Sequence, residues 1–181
     1  MKSLLSCLSE VKDPRRKQGL RISLDQLFGM VVISYLCGYT GYRAVSRFCK
    51  SYEGLFREEL GLRHAVPSFV TFRQVLMNVN EKELIKAFNE WTSGFVPLEQ
   101  EEVLSGDGKS LRSTVTNYPD SNQDFQSVVS FFSHRTGMVA RIAAFRNKKK
   151  SEIEVLLYLI KTLKMSGLVI RLDALHAQKN G

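Results

Sequence analysis

Two aspartates, Asp107 and Asp173, carry the clearest chemical signal in this sequence of 181 residues. Each acid lies at the carboxyl end of a predicted strand, which spans 103–107 in the first case and 168–173 in the second. Active groups collect at the carboxyl ends of strands in open α/β sheets. Two carboxylates on neighbouring strands can share Mg²⁺ ions, which prefer oxygen ligands and stabilise in-line phosphoryl displacement.

The same residues also allow an interpretation without catalysis. The segment 105–109 is rich in residues typical of tight turns, and Asp173 is a favoured helix N-cap. Among the histidines, His176 could line the same cleft, whereas His64 and His134 lie in predicted loops without a partner at ligand spacing. Residue pattern alone leaves both interpretations open.

The elements around the two acids predict a mixed sheet. After Pro97 the order is strand, strand, strand, helix, strand, with a polar loop over 114–124. A hairpin of 125–133 and 138–145 and a helix begun by a Ser151–Glu154 capping box precede the last strand. Along that helix the expected buried positions are Ile153, Leu156, Leu157, Ile160 and Leu163. A hairpin followed by a helical crossover favours an α+β fold with helices covering the sheet.

Residues 1–97 predict a separate helical domain, which leaves 98–181 as the second domain. Helices are expected from Ser23 to 36, from 42 to 51, from Pro67-Ser68 onward, and from Asn80 to Gly94. The first begins with a Ser23–Gln26 capping-box pattern, and in the last the expected buried residues are Leu84, Phe88 and Trp91. Of the cysteines, Cys37 and Cys49 are expected in the core, because each lies among apolar residues.

Composition excludes several classes of protein. Hydrophobic residues make up 44% and charged residues 24%, as in ordinary globular proteins, so the chain is not disordered, collagen-like or a coiled coil. The longest apolar run, 27–37, is about half of the ~20 residues that a membrane span requires. With no signal peptide at its start, the chain is expected to be cytoplasmic. Its net charge of +8 suggests a polyanionic partner.

The two acidic segments resemble a known family. Residues 105–112, S-G-D-G-K-S-L-R, resemble the D-G-K-T-L-R block of bacterial insertion-sequence transposases of the H-repeat-associated type. Residues 170–179 resemble its second block, a strand ending D-A-x-x-x-Q-K, and 150–153 resemble its K-S-N-E-I helix start. The stretch from 13 to 73 is similar to the helical domain that precedes the family's catalytic core.

This resemblance implies a ribonuclease H-like fold with a D-D-E triad. Asp107 would be the first acid, on the first strand, and Asp173 the second, on the neighbouring fourth strand. Together they would bind Mg²⁺ or Mn²⁺ for nicking of transposon ends and strand transfer into target double-stranded DNA. The family's third acid, a glutamate, has no counterpart among these residues. The sequence therefore predicts a truncated transposase fragment with an incomplete sheet, inactive by itself.

Two other interpretations remain open. In one, the chain is a non-enzymatic helical DNA-binding protein, in which the helices bearing Arg43, Arg47 and Arg73 form a helix-turn-helix. In the other, it pairs with full-length transposase and inhibits it. The expected DNA contacts are the basic residues Arg15, Arg16, Lys17, Arg43, Arg47, Arg73, Lys109, Arg112, Lys148 and Lys149.

Overall fold

The fold comes from a computed structural model, which describes residues 2–18, 20–98, 100–116, 124–148, 151–163 and 167–172. These residues form seven α-helices and four β-strands. The chain divides into two compact units, Met1–Phe88 and Asn89–Gly181. The predicted α+β class, with helices first and a mixed sheet after them, is confirmed. None of the helices within the described ranges has both the length and the apolar character that crossing a bilayer requires.

The first unit is built from helices joined by short turns. In chain order the helices are α1 (Leu4–Leu8), α2 (Leu24–Leu36), α3 (Tyr42–Ser51), α4 (Glu53–Glu59), α5 (Phe69–Asn78) and α6 (Glu81–Phe95), of which α6 continues into the second unit. The predicted capping box of α2 is present, and the Ser23 backbone N–H donates to Gln26 Oε1 at 3.0 Å. The short helices α1 and α4 were not predicted, since neither is long enough to show a helical period.

Apolar side chains from these helices form the core of the first unit. The fully buried ones include Leu27, Met30, Val45, Phe56, Phe72 and Val75. Cys49 is buried as expected, but the expectation for Cys37 is wrong, because this residue is exposed just after the last turn of α2. Likewise, Leu84, Phe88 and Trp91 of α6 are only partly buried, whereas Ala87 and Thr92 are fully enclosed.

The second unit is a four-stranded sheet covered by one helix. Its elements are β1 (Val103–Thr116), β2 (Asp124–Ser133), β3 (Met138–Arg146), α7 (Glu152–Leu163) and β4 (Val169–Leu172). The strand order is β3-β2-β1-β4, in which β4 runs parallel to β1 and the other pairs are antiparallel. The predicted order of elements and the predicted pairing of the first and fourth strands are therefore confirmed.

Strand β1 is much longer than its sequence predicts. The segment 105–109 is not a tight turn, because it continues the strand and pairs with β2 from Leu104↔Ser133 to Leu111↔Gln126. Nor does the predicted loop begin at 114, since β1 extends to Thr116. Pairing with the valine- and phenylalanine-rich β2 overrides the weak strand propensity of glycine, serine and aspartate.

Helix α7 packs on one face of this sheet. Its side chains Val155, Leu156, Leu159 and Leu163 form a core with Leu104, Val129 and Phe131 of the strands. The predicted buried face is therefore wrong at Leu157, which is 52% exposed. The predicted capping box is present, and the Ser151 N–H donates to Glu154 Oε2 at 2.7 Å.

The outer edge of β3 is occupied by side chains of α6. Asn89 donates to the Ile142 carbonyl at 2.9 Å and accepts from the Ile142 N–H at 2.9 Å. Thr92 Oγ1 donates to the Ala140 carbonyl at 2.8 Å. The Asn89 amide thus makes the two hydrogen bonds that a neighbouring strand would otherwise make.

Candidate functional site

Asp107 lies in the middle of β1, on the sheet face opposite α7. Side chains alternate along a strand, and Leu104, two positions before Gly106, belongs to the core under α7. Gly106 and Gly108 therefore face α7, while Asp107 points to the other side and is exposed. The prediction that this acid ends its strand is wrong in detail, since β1 continues well beyond it.

The two glycines beside Asp107 allow close packing on the α7 face. A Cβ atom at Gly106 would lie 2.6 Å from Leu172 Cδ2 and 2.9 Å from Phe131 Cε1. At Gly108 it would lie 1.7 Å from Glu152 Oε1. Because real Cβ atoms essentially never approach other atoms so closely, a side chain at Gly106 would displace Leu172 and Phe131, and one at Gly108 would displace the carboxylate of Glu152. The glycines of this segment are thus explained by packing against β4 and α7.

The described part of the parallel ladder between β1 and β4 stops one residue before the two acidic positions in sequence. Its last pair is Gly106↔Leu172, and the next residues in sequence are Asp107 and Asp173. Asp173 and His176 lie outside the described residues. The structure therefore pairs β1, which bears Asp107, with β4, whose last residue Leu172 directly precedes Asp173 in sequence.

Ser105 and His134 form a hydrogen bond on the Asp107 face. Ser105 Oγ and His134 Nε2 are 2.7 Å apart, and the imidazole lies edge-on to the Phe132 ring, with centroids 5.9 Å apart. Residue spacing had predicted no partner for His134. The two residues are 29 positions apart, and only the antiparallel register of β1 and β2 brings them together.

The donor set around Asp107 is chemically suited to a hard cation. Mg²⁺ is commonly bound by one or two carboxylates and several waters, and Asp107 offers an exposed carboxylate. The described residues contain no group of three or more His, Cys, Asp and Glu side chains that could hold a metal ion. A site completed by Asp173 would fit the one-or-two-carboxylate pattern.

A second candidate site is a basic groove in the first unit. Arg43 and Arg47 of α3 and Arg73 of α5 line a surface groove of about 650 Å³, together with Phe69. All three arginines are exposed, and the Arg43 guanidinium lies 5.0 Å from the centre of the Phe69 ring. The structure thus brings together three of the predicted DNA contacts from two separate helices.

The two helices of this basic groove are neighbours in space but not in sequence. Ser46 of α3 donates to the Pro67 carbonyl at 3.1 Å, directly before α5. Helix α4 and the segment after it separate them along the chain, so a helix-turn-helix with the usual 3–4-residue turn is not formed. Helices α3 and α5 are therefore neighbours as predicted, but α4 and the segment after it take the place of the short helix-turn-helix turn.

The remaining predicted DNA contacts have varied surroundings. Arg15 is tied into the fold, since it pairs with Asp13 at 2.6 Å and donates to the Ile22 carbonyl at 2.9 Å. The others that are described with their side chains are exposed, namely Arg16, Lys17, Lys109 and Lys148. Lys149 and the side chain of Arg112 lie outside the described part of the chain.

The helical part of the chain matches a known family. Residues 5–92 match the family described as DDE_Tnp_1-associated. This match covers the helices of the first unit, including the three arginines of the basic groove.

Several curated proteins resemble the chain over most of its length. It is 25% identical over 93% of its residues to "Uncharacterized protein in dhlA 3'region" of Xanthobacter autotrophicus, and it covers 57% of that protein. It is 22% identical over 99% of its residues to "Putative transposase YncI" of Escherichia coli O157:H7, covering 45% of it. It is also 22% identical to "H repeat-associated putative transposase YbfD" of Escherichia coli K12, covering 70% of that protein. The chain thus spans about half the length of the first two relatives.

Proposed function

Because this chain belongs to the DDE transposases of the H repeat-associated type, we propose that it binds double-stranded DNA and supplies two carboxylates of a strand-cleavage site. The family supports DNA as the partner. We assign DNA binding and the supply of the two carboxylates to different units of the chain. The helical unit binds the DNA backbone through the basic groove. The sheet unit presents Asp107 and Asp173 to the phosphodiester bond.

The observation that carries this proposal is the parallel pairing of β1 and β4. The last described pair of the ladder is Gly106↔Leu172, and both acids follow it directly in sequence. Continuation of this register by one residue would set Asp107 beside Asp173 on the exposed sheet face. Carboxylates on adjacent parallel strands can share divalent cations.

In the proposed mechanism, the carboxylates of Asp107 and Asp173 would hold Mg²⁺ or Mn²⁺. When bound, the ions would supply charge stabilisation for the attacking and leaving oxygens of an in-line displacement. Water attacks the phosphorus, and the bond to the 3′ oxygen breaks to leave a free 3′-hydroxyl. In strand transfer, that hydroxyl attacks a phosphodiester of target DNA, and the P–O3′ bond of the target strand breaks to release a new 3′-hydroxyl as the leaving group. Binding and positioning of the phosphates are the contribution of this chain's own residues.

We further propose that a polypeptide of these 181 residues binds DNA without cleaving it, because the third acid of the triad has no counterpart in it. The test incubates this polypeptide with supercoiled plasmid and Mg²⁺ or Mn²⁺, alongside an Asp107→Asn variant. No nicking above the variant's background is expected. Metal-dependent nicking that disappears in the variant would contradict this part of the proposal.

DNA binding is tested separately by fluorescence anisotropy with labelled duplex across a salt series. Each phosphate contact contributes a slope of about −0.9 in a plot of log affinity against log salt. Three groove arginines therefore predict a slope of about −2.7 or steeper. A folded sample that fails to bind duplex DNA at low salt would overturn the proposed function.

A second candidate function is inhibition of a full-length transposase by competition for DNA, and the basic groove favours it. Arg43, Arg47 and Arg73 lie entirely within the helical unit, so DNA binding there requires no catalytic residue. Mixing the chain with an active transposase of the same type should then reduce excision. An Arg43→Gln/Arg47→Gln double variant that inhibits equally well would exclude this function.

A further inference from the structure

On the sheet face that carries Asp107, a further set of side chains lies level with Ser105, two residues earlier along β1. Ser105 pairs with Phe132 of β2 on one side and with Arg171 of β4 on the other. Because alternate residues of a strand share a face, Ser105 and Arg171 lie on the same side of the sheet as Asp107. Two residues of a strand span about 6.6 Å, which is comparable to the distance between successive phosphates in a DNA strand.

The side chains in this set are suited to a phosphate. Arg171 is exposed on β4, and its guanidinium can donate two parallel hydrogen bonds to phosphate oxygens. Ser105 is held in place by its 2.7 Å hydrogen bond to His134. A serine hydroxyl has one donor and two acceptor positions, so it can accept from the imidazole and donate elsewhere.

We propose that Ser105, His134 and Arg171 form a phosphate-binding row that holds the DNA phosphate next to the one at Asp107. This inference rests on the proposed function and assigns it three further residues. His134 Nε2–H donates to Ser105 Oγ, whose own proton is donated to a phosphate oxygen. The guanidinium of Arg171 supplies a positive charge that compensates the negative charge of the phosphate. His134 acts as a positioning residue through Ser105, while Ser105 and Arg171 contact the DNA.

The first test observes the imidazole nitrogens of His134 by NMR in the 181-residue chain, labelled with ¹⁵N-histidine. A short single-stranded oligonucleotide and inorganic phosphate are the two probes. Both are expected to shift the His134 resonances and to leave the ring with its proton on Nε2. His64, in the other unit, serves as the internal reference. A purely structural Ser105–His134 pair would show no shift with either probe.

The second test compares single-strand affinities of Arg171→Gln and Ser105→Ala with a matched control. Lys161→Gln removes the same charge from an exposed position of α7, on the other side of the sheet. For Arg171→Gln the salt slope should become shallower by about 0.7, the contribution of one phosphate contact on a single strand. The Lys161→Gln slope should equal that of the unaltered chain, and circular dichroism verifies that each variant is folded.

The outcomes separate this inference from the proposed function. If duplex binding depends on the groove arginines but Arg171→Gln matches Lys161→Gln and His134 does not shift, the phosphate-binding row is wrong and the proposed function stands. If the folded chain binds neither duplex nor single-stranded DNA, both are wrong. A His134 shift that is lost in Arg171→Gln supports the row.

Discussion

The carboxylate of Glu152, the first residue of α7, lies directly against Gly108 of β1. A Cβ atom at Gly108 would be 1.7 Å from Glu152 Oε1 and 2.2 Å from its Cδ. A Cβ atom at Gly106 would be 2.6 Å from Leu172 Cδ2 and 2.9 Å from Phe131 Cε1. Asp107 is therefore flanked by two glycines whose α7 face is covered, Gly106 by side chains of the neighbouring strands β2 and β4 and Gly108 by Glu152 of α7.

Replacing Gly106 with alanine should destabilise the sheet unit. The new methyl group would overlap Leu172 of β4 and Phe131 of β2, and overpacking of this kind costs roughly 1–3 kcal/mol. Urea unfolding followed by circular dichroism measures the effect. Gly54→Ala is the matched control, because it adds the same group in α4 with nothing within 4 Å and should not destabilise the chain. Equal stability of the two variants would refute the close packing.

Gly108→Ala should be less harmful than Gly106→Ala, because the group it meets is the end of a flexible side chain. Adding Glu152→Ala should then recover part of the lost stability, since the clash disappears. A double-mutant cycle in urea measures this coupling, which is expected to be about 0.5–3 kcal/mol. Purely additive effects would show that Glu152 can move away without cost.

Acid should reduce the contribution of Asp13 to the stability of the chain. Burial opposes ionisation of this carboxylate, but hydrogen bonds and the charge of Arg15 outweigh it and hold the pKa of Asp13 below its ordinary value. A lowered pKa contributes stability that is fully present above the unfolded value of about 3.9 and is lost as pH falls through the folded value. The difference in unfolding free energy between the unaltered chain and Asp13→Asn should therefore shrink below about pH 4. A difference independent of pH would contradict this.

Loss of single arginines from the basic groove should weaken duplex binding uniformly across DNA sequences. Arg47→Gln or Arg73→Gln removes one contact to phosphate, so each slope in the salt series should become shallower by about 0.9. Arg63→Gln is the control, because Arg63 is exposed in the same unit and does not line the groove. Identical slopes for all three variants would place the DNA contact elsewhere.

One of the three cysteines should react rapidly with thiol reagents. Cys37 is exposed, whereas Cys7 and Cys49 are buried. Burial raises the pKa of the Cys49 thiol despite a hydrogen bond with Ser34, which further lowers its reactivity. Timed reaction with a chromogenic disulfide should show one fast thiol, and Cys37→Ser should remove that phase. A fast phase that persists in the variant would mean that the core opens readily.

The sequence predicted those elements whose signals are local. The β2–β3 hairpin follows from its valine and phenylalanine content and from the 134–137 turn, where Gly137 has a φ of 67°. Both predicted capping boxes, at Ser23 and Ser151, are present because each depends on side chains three residues apart. The parallel pairing of β1 with β4 was expected only from the family resemblance.

The features that the sequence did not predict depend on tertiary contacts. The segment 105–110 has turn-like composition and becomes a strand only through pairing with β2. The Ser105–His134 hydrogen bond depends on that same register. Likewise, the basic groove joins α3 to α5, so its shape is set by helix packing.

The side chains of Asn89 and Thr92 occupy backbone hydrogen-bonding groups at one edge of the sheet, the edge formed by β3. At β3, Asn89 occupies the backbone groups of Ile142 that another strand would use, so strand addition at this edge is blocked. At the opposite edge, β4 is the last strand of the described sheet, and Val169 is 48% exposed. Any strand that joins this sheet, from the same polypeptide or from another copy, is therefore directed to β4, beside the row that contains Arg171.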